Sequence, residues 1–110
     1  MKLKDVIDIL DLEVLSGSID GDIEVEGAYV ADLLSCVMAG AQENQLWFTL
    51  QTHLNIVAVA SLAGLAAIVV TEGAPVGEET LAKAEAQAVV ILRSPAPTFE
   101  TLARLIKAGF

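Results

Sequence analysis

Thr52, His53 and Asn55 stand where an aromatic apolar stretch, Leu46-Trp47-Phe48-Thr49-Leu50, gives way to an uncharged run from Leu54 to Val70. Thr71 and Glu72 close that run, and Arg93 closes a third apolar stretch, Val89 to Leu92. If each stretch is a strand and the strands are parallel neighbours, the six side chains fall in turns at the carboxyl edge of one sheet, where open α/β sheets hold ligands. Hydroxyls, an imidazole, an amide and a guanidinium beside a helix N-terminus are the groups that bind a small anion or nucleotide. The plainer alternative is that Thr52 caps the helix and Arg93 pairs with Glu72. Catalysis would need an activated nucleophile or a second acid, and Thr52, His53, Thr71 and Glu72 match no triad spacing. Glu72 and His53 remain the pair on which a small enzyme would depend.

Other chemistries are poorly served. Cys36 is the only cysteine, so no internal disulfide forms, and a lone thiol without neighbouring His or Cys ligands makes a poor metal site. It sits beside an apolar helical stripe with no cation adjacent in sequence, which reads as packing. The chain has no P-loop and no Gly-x-Gly-x-x-Gly, and Gly73-Ala74-Pro75-Val76-Gly77 lacks the Lys-Ser/Thr ending of a phosphate cradle, so no cofactor is expected. A formal net charge of −9, with fifteen acids against six Lys plus Arg, repels a phosphate backbone and argues against nucleic acid. Trp47 and Phe48, with no basic residues interleaved, read as core or interface.

The elements that would position these residues are legible from periodicity. Leu3, Val6, Ile7 and Leu10 form one stripe of a short helix, followed by a strand at Glu13-Val14-Leu15. Ser16-Gly17-Ser18 and Asp20-Gly21-Asp22 signal turns, and the alternation around Ile23 and Val25 predicts an edge strand. A helix is expected after Gly27, with Val30, Leu33, Leu34, Val37, Met38 and Ala41 on one face, Asp32 in its first turn and Gly40 at its end. Leu46–Leu50 and Ala67–Val70 read as central strands, joined by a helix from about Leu54 to Ala63 with Thr52 as its cap. Glu78 to about Gln87 forms a weakly amphipathic helix before the strand at Val89–Leu92. Thr98 is expected to cap a terminal helix whose Phe99, Leu102, Ala103 and Ile106 face the core. The fold class is α/β: a single domain over residues 1–110 with a central, mostly parallel sheet of about four to five strands flanked by helices.

The Leu54–Ala63 helix is apolar around its whole circumference, and such a helix must be buried all round. That predicts a homodimer in which this helix contributes to the interface or lies directly beneath it. A membrane span is not expected, because the run falls short of about 20 apolar residues and is interrupted by Asn55, Ser61 and Gly64. Met1-Lys2-Leu3-Lys4-Asp5-Val6-Ile7-Asp8 carries carboxylates where a secretion signal needs its apolar core, so a reducing, cytoplasmic setting is expected.

Val30-Ala31-Asp32-Leu33-Leu34-Ser35, the run from Thr49 to Ser61, and Ile68-Val69-Val70-Thr71-Glu72-Gly73 resemble the DRTGG domain family over about residues 12–110. Relatives occur within phosphotransacetylases and between the CBS domains of regulated pyrophosphatases, and their fold is similar to the N-terminal domain of HPr kinase. In none of these settings is the domain the catalytic part. The chain has no Asp-Arg-Thr triplet, and Thr71-Glu72-Gly73 stands where Thr-Gly-Gly is expected. The resemblance implies a mostly parallel sheet, pairing through helices, and a non-catalytic regulatory or interaction role that involves a partner enzyme or a small anionic metabolite. A purely structural subunit of a larger complex and a small enzyme are the alternatives.

Overall fold

The alternating strand and helix pattern becomes one five-stranded sheet covered on both faces, in a computed structural model that describes residues 1–19 and 22–110. Helix α1 (Leu3–Leu10) leads into strand β1 (Glu13–Ser16). Strands β2 (Gly27–Val30), β3 (Gln45–Thr49), β4 (Ala67–Val70) and β5 (Ile91–Arg93) are joined in turn by α2 (Leu34–Gly40), α3 (Asn55–Ala63) and α4 (Glu78–Ala86), and α5 (Thr98–Lys107) ends the chain. The sheet order is β1-β5-β4-β3-β2. β2 to β5 are mutually parallel and β1 is antiparallel to β5.

Because consecutive parallel strands lie side by side in one direction, crossovers of a single hand put α2, α3 and α4 on the same face. The side chains agree. Trp47, Ile68, Val70 and Ile91 pack under Val37 of α2, Ile56, Val57, Val59 and Ala60 of α3, and Ala84 of α4. Their sequence neighbours Leu46, Phe48, Ala67, Val69 and Leu92 point the other way, against Leu3, Val6 and Leu10 of α1 and Leu105 of α5. The period-two alternation of strand side chains thus splits the core into two layers. Burying one aromatic side chain of about 200 Å² contributes roughly 5 kcal/mol against a fully extended chain. Trp47 and Phe48, both fully buried, supply that on opposite faces of the same strand.

Four local expectations are corrected. Ile23 and Val25 do not form a strand. Leu3 N–H donates to the Ile23 carbonyl and Val25 N–H to that of Met1, with one bridge between Lys2 and Glu24, so the alternating segment pairs with the N-terminus. The edge strand beside β3 is β2, drawn from residues expected to open a helix. Tyr29 and Val30 suit a strand, and the helix starts only at Leu34, leaving Val30, Leu33 and Met38 exposed rather than on a buried stripe and Cys36 exposed rather than packed. Thr52 does not cap α3, since that helix begins at Asn55 after Leu54 and has no side-chain cap at its N-cap position. In α5 it is Thr101 and Leu105 that are buried, while Phe99 is 82% and Ile106 63% exposed, and Thr98 is the first helical residue rather than the cap. The turn expected at Asp20-Gly21-Asp22 falls in part on residues 20 and 21, outside the described residues.

The uniform apolarity of α3 now has a cause. The helix lies between α2 and α4 with Ile56, Val57, Val59 and Ala60 against the sheet, and a narrow outer strip, Asn55, Ala58, Ser61 and Leu62, is open to solvent.

Candidate functional site at the carboxyl edge of the sheet

The parallel strands end at Val30, Thr49, Val70 and Arg93, the last three in register across β3, β4 and β5. Hydrogen bonds tie the exit of each strand to a neighbouring element. Asp32, just beyond β2, accepts hydrogen bonds at one carboxylate oxygen from Thr49 Oγ1 (2.9 Å) and from Leu50 N–H (2.8 Å). Thr49 Oγ1 in turn accepts from Gln51 N–H at 3.0 Å. This small network fixes the exit of β3 toward α3. The strand pair below it is tied by Trp47 Nε1, which donates to the Ala31 carbonyl at 2.8 Å.

Thr52 contributes its carbonyl, which accepts from Thr80 Oγ1 of α4 at 2.9 Å. His53 supplies the helix-end acceptor expected of Thr52: its Nδ1 accepts from Asn55 N–H at 3.1 Å, and its carbonyl accepts from Ile56 N–H at 3.0 Å. One orphan amide of α3 is therefore already satisfied by imidazole. Asn55 and His53 are both exposed.

At the end of β4 the polar groups turn to the opposite face. Thr71, fully buried, shares a 2.6 Å hydroxyl hydrogen bond with Thr98 at the start of α5. Ser94 and Thr101 share another at 2.9 Å, and Thr101 Oγ1 also reaches the Pro97 carbonyl. Glu72 N–H donates to the Ala96 carbonyl and Gly73 N–H to that of Ser94. Glu72 and Gly73 both hold positive φ, 59° and 61°, so the chain makes a left-handed turn here that glycine adopts readily and glutamate does not. The Glu72 side chain is left exposed.

Arg93 is half-buried and turns toward β1, where Nη2 and Nε donate to Glu13 Oε1 at 2.8 and 3.3 Å. Its expected alternative partner was Glu72, and the antiparallel register that sets Glu13 opposite Arg93 accounts for the change. Arg93 lines a small hollow of about 180 Å³ with Asp11, Glu13, Gly73 and Pro95.

The six expected residues share one edge of the sheet, and each group engages a different neighbouring element. Thr52, His53 and Asn55 follow β3 and engage α4 or α3, whereas Thr71 engages α5 and Arg93 engages β1. β3 and β5 are two strands apart, roughly 10 Å at ordinary strand spacing. Asp32, Thr49, Ser94, Thr98, Thr101 and Glu13 organise the edge and were not assigned to it from the sequence, where Asp32 was expected in the first turn of a helix and Thr98 as a helix cap. Only Asp32, directly after an apolar Tyr-Val-Ala run, carried a signal that could have been read as a strand-end anchor. Among the described residues no group of three or more His, Cys, Asp or Glu is placed to hold a metal ion. No helix among them is long and apolar enough to cross a membrane.

A sheet of this order, with three helices on one face and two on the other, defines a small regular α/β module. The profile of the DRTGG domain matches residues 5–108, and the chain belongs to that family. A solved structure of the same fold is the CBS and DRTGG domains of the regulatory region of Clostridium perfringens pyrophosphatase, complexed with the activator diadenosine tetraphosphate. It superposes with a TM-score of 0.78 over 97% of this chain at 15% identity, and this chain spans 46% of its length. Comparison with the curated proteins finds no match.

Proposed function

We propose that residues 1–110 act as a single non-catalytic regulatory or protein-interaction domain, in the cytoplasm and as a homodimer. The observation that carries this reading is where the polar and apolar groups are spent. The buried hydroxyls at the carboxyl edge bond one another, and Arg93 is held by Glu13. Large apolar side chains, by contrast, stand in solvent on both sides of the sheet, Leu33, Met38 and Leu62 on the α2 and α3 side and Phe99 and Ile106 on α5. Monomeric proteins seldom leave such side chains grouped without a binding purpose. Sedimentation across micromolar concentrations tests the reading. A dimer of the 11.5 kDa chain is expected, and a monomer throughout would refute it.

A second reading is favoured by the nucleotide bound in the structurally similar regulatory region. Here the domain senses a small anionic metabolite or nucleotide beside Thr52, His53, Asn55, Thr71, Glu72 and Arg93. Arg93 would have to exchange Glu13 for the anion, and Asp11, Glu13, Asp32 and Glu72 make the surroundings acidic. Calorimetry with phosphate, nucleotides and diadenosine tetraphosphate tests it, comparing the native chain with Arg93→Ala and Thr52→Ala. Glu13→Gln should tighten binding by releasing the guanidinium. Binding indifferent to all three substitutions would remove this site.

A further inference from the structure

The outward face of α5 is apolar along its length. Phe99, Leu102, Ala103 and Ile106 recur at helical spacing three, four and seven, yet the buried side of the helix is Thr101 and Leu105. Phe99 and Ile106 rise at either end of a shallow apolar hollow of about 470 Å³ whose lining also includes Leu102, Ala103 and Lys107. Glu100 and Lys107 fall on one flank of that stripe by helical spacing, the acid in the first turn and the base in the last.

We propose that a second copy of this chain docks on this face, α5 against α5 in antiparallel sense, with the twofold axis passing beside Ala103. The assignment rests on the homodimer reading above and names its surface. A twofold interface uses the same patch on both partners, so the patch must complement itself. α5 does. Reversal about Ala103 sets Phe99 of one copy beside Ile106 and Lys107 of the other, and brings Glu100 opposite the other copy's Lys107 on the same flank. The alanine at the centre lets the two helices approach closely.

Charge selects α5 over the other apolar face. Two chains each carrying −9 repel, and no lysine or arginine occurs between Lys4 and Lys83, so the α2 and α3 surface with Leu33, Met38 and Leu62 offers no cation to a copy of itself. α5 carries two of the six cations, Arg104 and Lys107. Among the described residues neither makes an ion pair within the chain.

Sedimentation equilibrium of the full chain tests this, with circular dichroism to show that each variant is folded. Ile106→Glu and Phe99→Glu are expected to weaken self-association at least tenfold. Lys107→Glu alone should weaken it, and Glu100→Lys combined with Lys107→Glu should restore it, because the pair is exchanged across the axis. Ala103→Cys in a Cys36→Ser background should give an intermolecular disulfide on mild oxidation, Cys36 being exposed and otherwise reactive. A native monomer at every concentration overturns both the homodimer reading and this surface. A native dimer that survives Ile106→Glu and Phe99→Glu, or that fails to cross-link through residue 103, overturns the α5 surface and leaves the homodimer standing.

Discussion

Replacing Asp32 by alanine is expected to loosen the carboxyl edge by an amount that can be worked from its contacts. One carboxylate oxygen serves two donors, Thr49 Oγ1 and Leu50 N–H. Thr49 is 2% exposed, so its hydroxyl has no water to turn to and loses about 1–1.5 kcal/mol when its acceptor goes. Leu50 is exposed and its amide can bond water, so that loss is about 0.5 kcal/mol. The total is about 2 kcal/mol. With a urea m-value of about 1.5 kcal/mol/M, the unfolding midpoint falls by about 1.3 M at unchanged slope. The single tryptophan, buried Trp47, reports the transition by fluorescence. Asp32→Asn keeps an acceptor oxygen and should recover more than half of the loss. In a double-mutant cycle with Thr49→Val, coupling of about 1 kcal/mol is expected. An Asp32→Ala midpoint equal to that of the native chain, or additive effects in the cycle, would refute the assignment of Asp32 as the anchor of the β3 exit.

Gly17→Ala should destabilise by about 3 kcal/mol or abolish folding, because Gly17 has φ +90° and an added Cβ would lie 2.9 Å from the Val90 Cα. Thermal unfolding reads this out. Glu72→Gly should stabilise by about 0.5 kcal/mol, the net of relieving a left-handed glutamate at about 1 kcal/mol and the greater freedom of glycine in the unfolded chain. Its φ of 59° is the basis, and urea unfolding would show a raised midpoint. Trp47→Phe should cost about 2–4 kcal/mol, since it removes both the bond to the Ala31 carbonyl and part of a fully buried ring. A change below about 1 kcal/mol by calorimetry would contradict that packing.

Much of the architecture was legible without coordinates. Leu3, Val6, Ile7 and Leu10 announce α1 by spacing alone, and Leu46–Leu50 and Ala67–Val70 announce central strands because both faces of each are apolar. The parallel pairing of β3, β4 and β5 follows from the intervening helices, which leave no room for hairpins. Periodicity, however, reports that a stripe is apolar and not which way it faces. The Phe99, Leu102, Ala103 and Ile106 stripe has a perfect helical period, yet α5 is held to the sheet through Leu105 and the hydroxyls of Thr101 and Thr98, so Phe99 and Ile106 turn outward while Leu102 stays packed at the edge of the core. The residues from Gly27 to Val30 could serve a helix or a strand, and pairing with β3 decided for a strand. The same limit governs the carboxyl edge. Thr52, His53, Asn55, Thr71, Glu72 and Arg93 could be placed at strand ends from sequence order, because chain connectivity sets which turns share an edge. Their partners could not: Arg93 meets Glu13 and Thr71 meets Thr98 across 80 and 27 residues, contacts that exist only once the sheet order and the position of α5 bring those segments together.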